Sequence, residues 1–259
     1  MTVQEKQFVQ TVQSFYVKEG RHTLPWRKTK NPYRILVSEI MLQQTQVDRV
    51  IPKYKAFLQR FPTLTKLREV SLGEVLKVWQ GLGYNRRAKM LHACAMEVTV
   101  LPKTYEALQT LPGIGPYTAG AVMAFAYNVP VPIIETNIRT VYLHHFFKGK
   151  KGVSDAEILK KVERTIDTKH PREWYWALMD YGVFLKKKYG NPNVRGKGYT
   201  KQSTFKGSDR EIRGAILRIL SNGGKVSELS FDTNRIEKQL QKLSAEGMVV
   251  KAGRGWRLP

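Results

Sequence analysis

Residues Thr110–Phe125 read TLPGIGPYTAGAVMAF, a tight Leu-Pro-Gly-Ile-Gly turn between two stretches of helical periodicity, Tyr105–Leu111 and Thr118–Tyr127. Gly113 and Gly115 are expected to take positive φ, which lets the backbone approach another molecule closely. Pro116 then opens the second helix, and the freed amides of its first turn face outward as an anion site. A generic helical turn would share this outline with a structural role only. Here the proline, both glycines and a following helix of small residues coincide.

Outward from the hairpin, charge is the next signal. The 259 residues carry 44 Lys+Arg against 21 Asp+Glu, a formal net charge of +23, which implies a polyanionic partner, nucleic acid first. An anionic membrane surface would attract such a chain too, but no stretch approaches the roughly 18 apolar residues of a spanning helix. The N-terminus, MTVQEKQFVQ, lacks the basic-then-apolar order of a secretion signal. An intracellular, cytoplasmic protein is therefore expected, and no membrane partner. Cys94 is the only cysteine, which excludes a disulfide framework and a cysteine-rich metal site. Its helical setting, LHACAMEV, predicts a core residue.

To about residue 185 the pattern is helical throughout, as in Val37–Phe57, Leu72–Trp79, Arg87–Val98 and Ile158–Ile166, with no convincing run of period-2 strands. This part is expected to be all-α. Residues 186–206, KKKYGNPNVRGKGYTKQSTFK, hold seven basic residues and no acidic one. A solvated linker and a phosphate-contacting strap both fit, with Lys186, Lys187, Lys188, Arg195 and Lys197 as the contacts. Beyond it, SDREIRGAILRILSNGG begins with a Ser208 cap and shows Ile212, Ala215, Ile216 and Ile219 on one face. FDTNRIEKQLQKLSAEG repeats the pattern with Ile236, Leu240 and Leu243 and stops at Gly247, and MVVKAGRGWRL gives two β-like runs about a glycine turn. Helix, short segment, helix and basic hairpin in this order resemble a winged helix, a module that binds DNA or protein.

The hairpin, followed some twenty residues later by the apolar run and acid of PIIETNIRTV (Pro132–Val141), resembles the helix-hairpin-helix superfamily of DNA glycosylases. LPWRKTKNPYRILVSEIMLQQTQV (Leu24–Val47) and GLGYNRRAKMLH (Gly81–His92) look like the MutY-type adenine DNA glycosylases, and the likeness covers roughly residues 5–185. The implied fold is an all-α helix-hairpin-helix glycosylase domain over 1–185, with a six-helix module at about 30–138 and a second helical subdomain from 1–29 plus 139–185. A basic linker or strap at 186–207 and a winged-helix-like domain at 208–259 follow.

Several roles come with the resemblance. Glu39 lies among apolar residues of a helix, where burial favours the protonated acid, and its family counterpart protonates the extruded adenine. Gln43 offers an amide to base edges. By resemblance Gln44 and Thr45 sit at the orphaned guanine or 8-oxoguanine, Leu82 and Tyr84 wedge into the vacated stack, and Trp26 and Arg27 lie by the pocket. Simple core packing of Trp26, and a helix-ending turn with a core tyrosine at GLGY, remain open readings. Tyr117 stands where bifunctional members carry a Schiff-base lysine, and a phenol forms no imine, so a monofunctional enzyme without efficient lyase activity is expected. Glu135 takes the place of the acid that stabilises the oxocarbenium-like sugar, with Asn137 orienting it.

The chain also departs from the family. The family pattern D-G-N-V-x-R-V reads E-T-N-I-R-T-V here, so the acid is one methylene longer. The four cysteines of the family's [4Fe-4S] cluster are missing, the first ligand position falling near Lys186, and so is the Nudix-like C-terminal domain. No iron-sulfur cluster, no other cofactor and no metal-ligand set are expected, apart from a structural cation at the hairpin. The implied function is base excision repair: hydrolysis of the N-glycosidic bond of adenine mispaired with 8-oxoguanine or guanine, by a monomer acting on double-stranded DNA. The alternatives are a thymine or uracil mismatch glycosylase, and a catalytically retired DNA-binding damage sensor.

Overall fold

The computed structural model describes residues 1–200 and 204–259, so residues 201–203 of the expected strap lie outside the described residues. In chain order the helices are α1 (Val3–Glu19), α2 (Pro32–Leu42), α3 (Val47–Arg60), α4 (Leu64–Arg68), α5 (Leu72–Trp79), α6 (Arg86–Glu97), α7 (Tyr105–Gln109), α8 (Pro116–Tyr127), α9 (Thr136–Phe146), α10 (Asp155–Thr165), α11 (Pro171–Tyr189), α12 (Asp209–Ser221) and α13 (Thr233–Ala245). Strands β1 (Val250–Ala252) and β2 (Gly255–Arg257) pair antiparallel, Lys251 opposite Trp256. Among the described residues no helix is long and apolar enough to cross a membrane.

The chain forms two compact units. The first comprises, among the described residues, 1–36, 102–110 and 114–200; the second comprises 37–101, 111–113 and 204–259. The boundaries differ from the expected 30–138 module, since the hairpin helix groups with α9–α11. The reason is composition: from Thr118 to Ala126 every residue of α8 is buried, so the helix has no solvent face and must be enclosed.

In the first unit α11 is the central helix, with α1, α8 and α9 packed on it. Phe8 of α1 sits in an aromatic cluster with Tyr142, Phe146 and Trp174, ring centroids 4.9–5.9 Å apart. Each such ring, fully buried, contributes about 1.5–3 kcal/mol. Two glycines let backbones close up here: a side chain at Gly120 would run into Ile133, and one at Gly182 into the Asn137 backbone carbonyl. Both neighbours belong to the segment that carries Glu135.

In the second unit α5 packs against α3, α6 and α12, and α12 packs against α13. The expected apolar faces are buried at Ile212, Ala215, Ile216, Ile236, Leu240 and Leu243. Ser208 occupies the N-cap position of α12, but its hydroxyl donates to the Phe205 carbonyl instead of accepting from the helix. Gly247 ends α13 at φ +66°, with its amide bonded to Ser244 and that of Met248 to Leu243. Residues 204–259 do not stand apart as a domain of their own: the Gly73 amide donates to the Pro259 carbonyl at 3.1 Å.

Candidate active site

In the second unit, α2 carries Glu39, only 6% exposed among Val37, Ile40 and Met41, which are at most 2% exposed. The helical stretch Val37–Phe57 breaks at residues 43–46. Gln44 takes φ +55° there, and the Arg87 guanidinium accepts the role that continuing amides would have had. Its Nη1 donates to the carbonyls of Ile40 (2.8 Å), Met41 (2.9 Å) and Gln43. Its Nη2 donates to Thr45 Oγ1 (3.1 Å) and to the carbonyls of Leu82 (3.2 Å) and Gly83 (3.0 Å). One half-buried cation thus joins the Gln-Gln-Thr turn to the Gly-Leu-Gly-Tyr turn and stacks over Trp79 and Tyr84, 5.6 and 5.5 Å from their centroids. Loss of solvation pulls its pKa down to about 10, so it stays charged at neutral pH. Sequence reasoning passed over Arg87; its signal was an arginine in the first turn of a helix that follows a Gly-rich loop.

Gln43, Gln44, Thr45, Leu82 and Tyr84 do come together on these two turns. Leu82, expected to wedge into a base stack, is 3% exposed. Tyr84 is half-buried at φ +46°, a conformation uncommon outside glycine, and its hydroxyl accepts from Arg210 at 2.9 Å.

At the hairpin, Gly113 takes φ +77°, and a Cβ there would stand 2.5 Å from that of Met90. Gly115 differs from expectation: it is the extended N-cap of α8, φ −87° and ψ 178°, and a Cβ on it would meet nothing within 4 Å. Its backbone does not require glycine, and its outer face is open. Among the described residues no side chain caps α8. Tyr117 follows at the first turn, half-buried.

In the first unit the decisive residue is Glu135, the N-cap of α9. Its Oε1 accepts from the amides of Asn137 (2.7 Å) and Ile138 (2.8 Å), and its Oε2 from Asn137 Nδ2 (3.2 Å). Lys186, a residue expected to contact phosphate, donates from Nζ to Asn137 Oδ1 at 2.7 Å. A lysine has only donors, so the contact fixes which way the Asn137 amide faces: Oδ1 toward Lys186, Nδ2 toward Glu135. Burial raises the Glu135 carboxyl above its usual 4.5, against the pull of the two amides, Lys186 and Arg139. Burial likewise lowers Lys186, and Glu135 opposes the shift.

Two further expectations change. Arg27, expected beside the base pocket, is 3% exposed at its side chain and paired with Asp180, itself 2% exposed. Its two terminal nitrogens donate to the two carboxylate oxygens at 2.7 and 2.9 Å, which makes it a structural cation. Trp26 next to it is 6% exposed. Arg195, expected on phosphate, donates to the Leu143 and Phe147 carbonyls at the end of α9, 3.3 and 3.2 Å away. Lys187, Lys188 and Lys197 are exposed.

The segment after α11 is therefore no plain linker up to residue 200. It turns through Pro192–Arg195, and buried Asn193 donates from Nδ2 to Thr140 Oγ1 (2.8 Å) and the Thr136 carbonyl (3.2 Å). It offers no thiolate, and Cys94 is buried in α6, so these residues do not fit an iron-sulfur cluster.

A helical hairpin with an uncapped second helix, a buried acid on α2 and a carboxylate holding the N-terminus of α9 define a helix-hairpin-helix base excision protein. The family model described as HhH-GPD superfamily base excision DNA repair protein matches residues 37–167, and the chain belongs to that family. It is 36% identical over 267 residues to the adenine DNA glycosylase of Mycolicibacterium smegmatis, covering 91% of this chain and 90% of that protein. It is 37% identical over 184 residues to the adenine DNA glycosylase of Buchnera aphidicola subsp. Baizongia pistaciae, 69% of this chain but only 52% of that one, so the chain spans about half the length of this relative. Among solved structures it resembles a thermostable thymine-DNA glycosylase, TM-score 0.62 and 26% identity over 70% of this chain and 86% of that one.

Proposed function

We propose that the protein is a monofunctional DNA glycosylase of base excision repair that removes adenine mispaired with 8-oxoguanine or guanine. Glu39, buried at 6% exposure, is the general acid that protonates the extruded adenine. Glu135 stabilises the oxocarbenium-like sugar left as the base departs. Asn137 orients that carboxylate, and Lys186 orients Asn137. Gln43, Gln44, Thr45 and Tyr84 meet the opposite base, and Gly113, Gly115, Lys187, Lys188 and Lys197 meet phosphates.

The observation that carries this reading is the hydrogen bonding of Glu135. Its Oε1 is spent on two α9 amides, while Oε2 keeps only the Asn137 amide and stays near an oriented lysine. Once ionised, a carboxylate so held presents its negative charge at a fixed place, which is the requirement for meeting a developing cation.

The test is incubation with duplexes carrying A opposite 8-oxoguanine, A opposite G, T opposite G or U opposite G, followed by alkali. Strand breaks confined to the adenine strands are expected, and Glu39→Gln should abolish them. Cleavage of the T·G duplex alone would favour thymine chemistry, the activity named for the structural neighbour. Tight binding without cleavage of any duplex would make the protein a damage sensor.

A further inference from the structure

Within the second unit lies a cleft of about 870 Å³, inside the range of roughly 300–1,000 Å³ usual for ligand sites. One wall is the Gln-Gln-Thr and Gly-Leu-Gly-Tyr turns; the other is α12, with Phe205 at its rim. Six arginines line it (Arg49, Arg86, Arg87, Arg210, Arg213 and Arg218) against two acids, Glu211 and Glu246. Glu246 is already paired with Arg213 at 2.7 Å. That balance suits an anionic ligand.

Two features of the walls point to a ligand that packs closely. Gln44 and Tyr84 both line the cleft, and they are two of the three non-glycine residues with positive φ among the described residues. Such conformations cost energy and persist where surroundings or function hold them. Opposite them, Gly214 sits in the interior of α12, where a glycine disfavours the helix. Among the described residues nothing demands it: its φ is not positive, and a Cβ built on it meets no atom within 4 Å. The space it leaves bare opens on the cleft.

We propose that α12 is the second wall of the site for the unpaired nucleotide opposite the excised base, with Gly214 leaving room for it and Arg210 holding Tyr84 in place. This rests on the glycosylase reading above. The base is held by Tyr84, Gln43 and Gln44, and the flanking phosphates by the exposed Arg49, Arg86 and Arg218. Arg210 is a positioning residue, acting through its 2.9 Å bond to the Tyr84 hydroxyl.

The test is Gly214→Leu, a change that improves helix propensity and whose Cβ meets no atom of the described residues within 4 Å. Binding of fluorescein-labelled duplexes, A opposite 8-oxoguanine and fully paired, is followed by anisotropy, with thermal unfolding in parallel. G214L is expected to hold or raise Tm and to bind the mispaired duplex about tenfold more weakly, roughly 1.4 kcal/mol. The paired duplex should change by less than about twofold, well under 1 kcal/mol. Gly214→Ala should give a smaller loss of the same sign, and Arg210→Met should narrow the preference for 8-oxoguanine over guanine without lowering Tm. Unchanged mispair binding by folded G214L, or equal weakening on both duplexes, overturns the proposal. So does a wild-type chain with no preference for the mispaired duplex. Failure of the glycosylase reading shows separately, as absence of adenine release by the wild type.

Discussion

Glu135→Gln separates the two tasks of one side chain. The glutamine carbonyl can still accept from the Asn137 and Ile138 amides, so the α9 cap, worth about 1 kcal/mol, survives in large part. The lost charge removes a favourable interaction with the helix N-terminus of about 0.3–1 kcal/mol. A second effect opposes that loss. The carboxyl is raised in the folded protein, so its contribution to stability is complete below 4.5 and declines as pH rises through the higher folded value. Above the folded value an uncharged glutamine is relieved of that penalty. The net change in unfolding free energy is therefore expected within about 1 kcal/mol, a few degrees in Tm. Catalysis should respond quite differently. A unit charge about 4 Å from a developing cation, at an effective dielectric near 20, is worth about 4 kcal/mol. Shared with Lys186 and Arg139, the effect on rate should be on the order of 10²–10³-fold, as for other fixed groups aimed at transition-state charge. Single-turnover adenine release under enzyme excess, beside thermal unfolding, reads both quantities. A rate within about threefold of wild type, less than 1 kcal/mol, would leave Glu135 a helix cap and nothing more.

Other consequences follow from the same geometry. Lys186→Met frees the Asn137 amide to turn over, and the single-turnover rate should fall about 10–100-fold with DNA affinity little altered, given the sensitivity of such sites to 1 Å displacements; Lys186→Arg should recover part of the rate, and a loss confined to binding would refute the positioning role. The wild-type rate should fall on acidification with a midpoint above 4.5, because Glu135 must be ionised and burial raises it; a limb at or below 4.5 would contradict this. Asp180→Asn strands buried Arg27 without its carboxylate and should cost about 3–5 kcal/mol, read as a lowered denaturation midpoint. Cys94 is fully buried with its thiol pushed up to about 12, so the native protein should resist thiol reagents until it is unfolded.

The sequence disclosed the elements more fully than the connections among them. Helical periodicity, the positive φ of Gly113 and the two apolar faces of α12 and α13 are local patterns, and each appears where its period or turn chemistry placed it. The break in Val37–Phe57 was hidden because no proline or glycine marks it; a guanidinium some forty residues later ends the helix. Arg27 was misread for the same reason, since its partner Asp180 lies 153 positions away. Gly115 is extended with open space at its Cβ position, and the sequence of the turn does not distinguish that state from a second positive φ. The runs of lysine and arginine looked alike as charge. Only packing separates Lys186 and Arg195, which are committed to α9, from Lys187 and Lys197, which face solvent.

Lys186 bears on why a glutamate can stand where the related pattern has an aspartate. An aspartate at the N-cap reaches the same amides with a short, stiff side chain. The extra methylene of Glu135 brings one more rotatable bond, and with it the freedom to swing the carboxylate away from the sugar. Three contacts remove that freedom: two amides hold Oε1, and the Asn137 amide, itself held by Lys186, holds Oε2. The backbone beneath is fixed as well, by the close approach of Gly182 to the Asn137 carbonyl and by Asn193 on Thr136. Gly182 lies on α11 and Asn193 in the cysteine-free segment following it. The longer acid and the cysteine-free segment thus meet at Asn137, a geometry that would couple the two. If that coupling holds, Glu135→Asp should tolerate Lys186→Met better than the glutamate protein does, and a double-mutant cycle on the single-turnover rate should give a non-zero interaction between the two positions. Strict additivity would mean that the lysine and the choice of acid are independent.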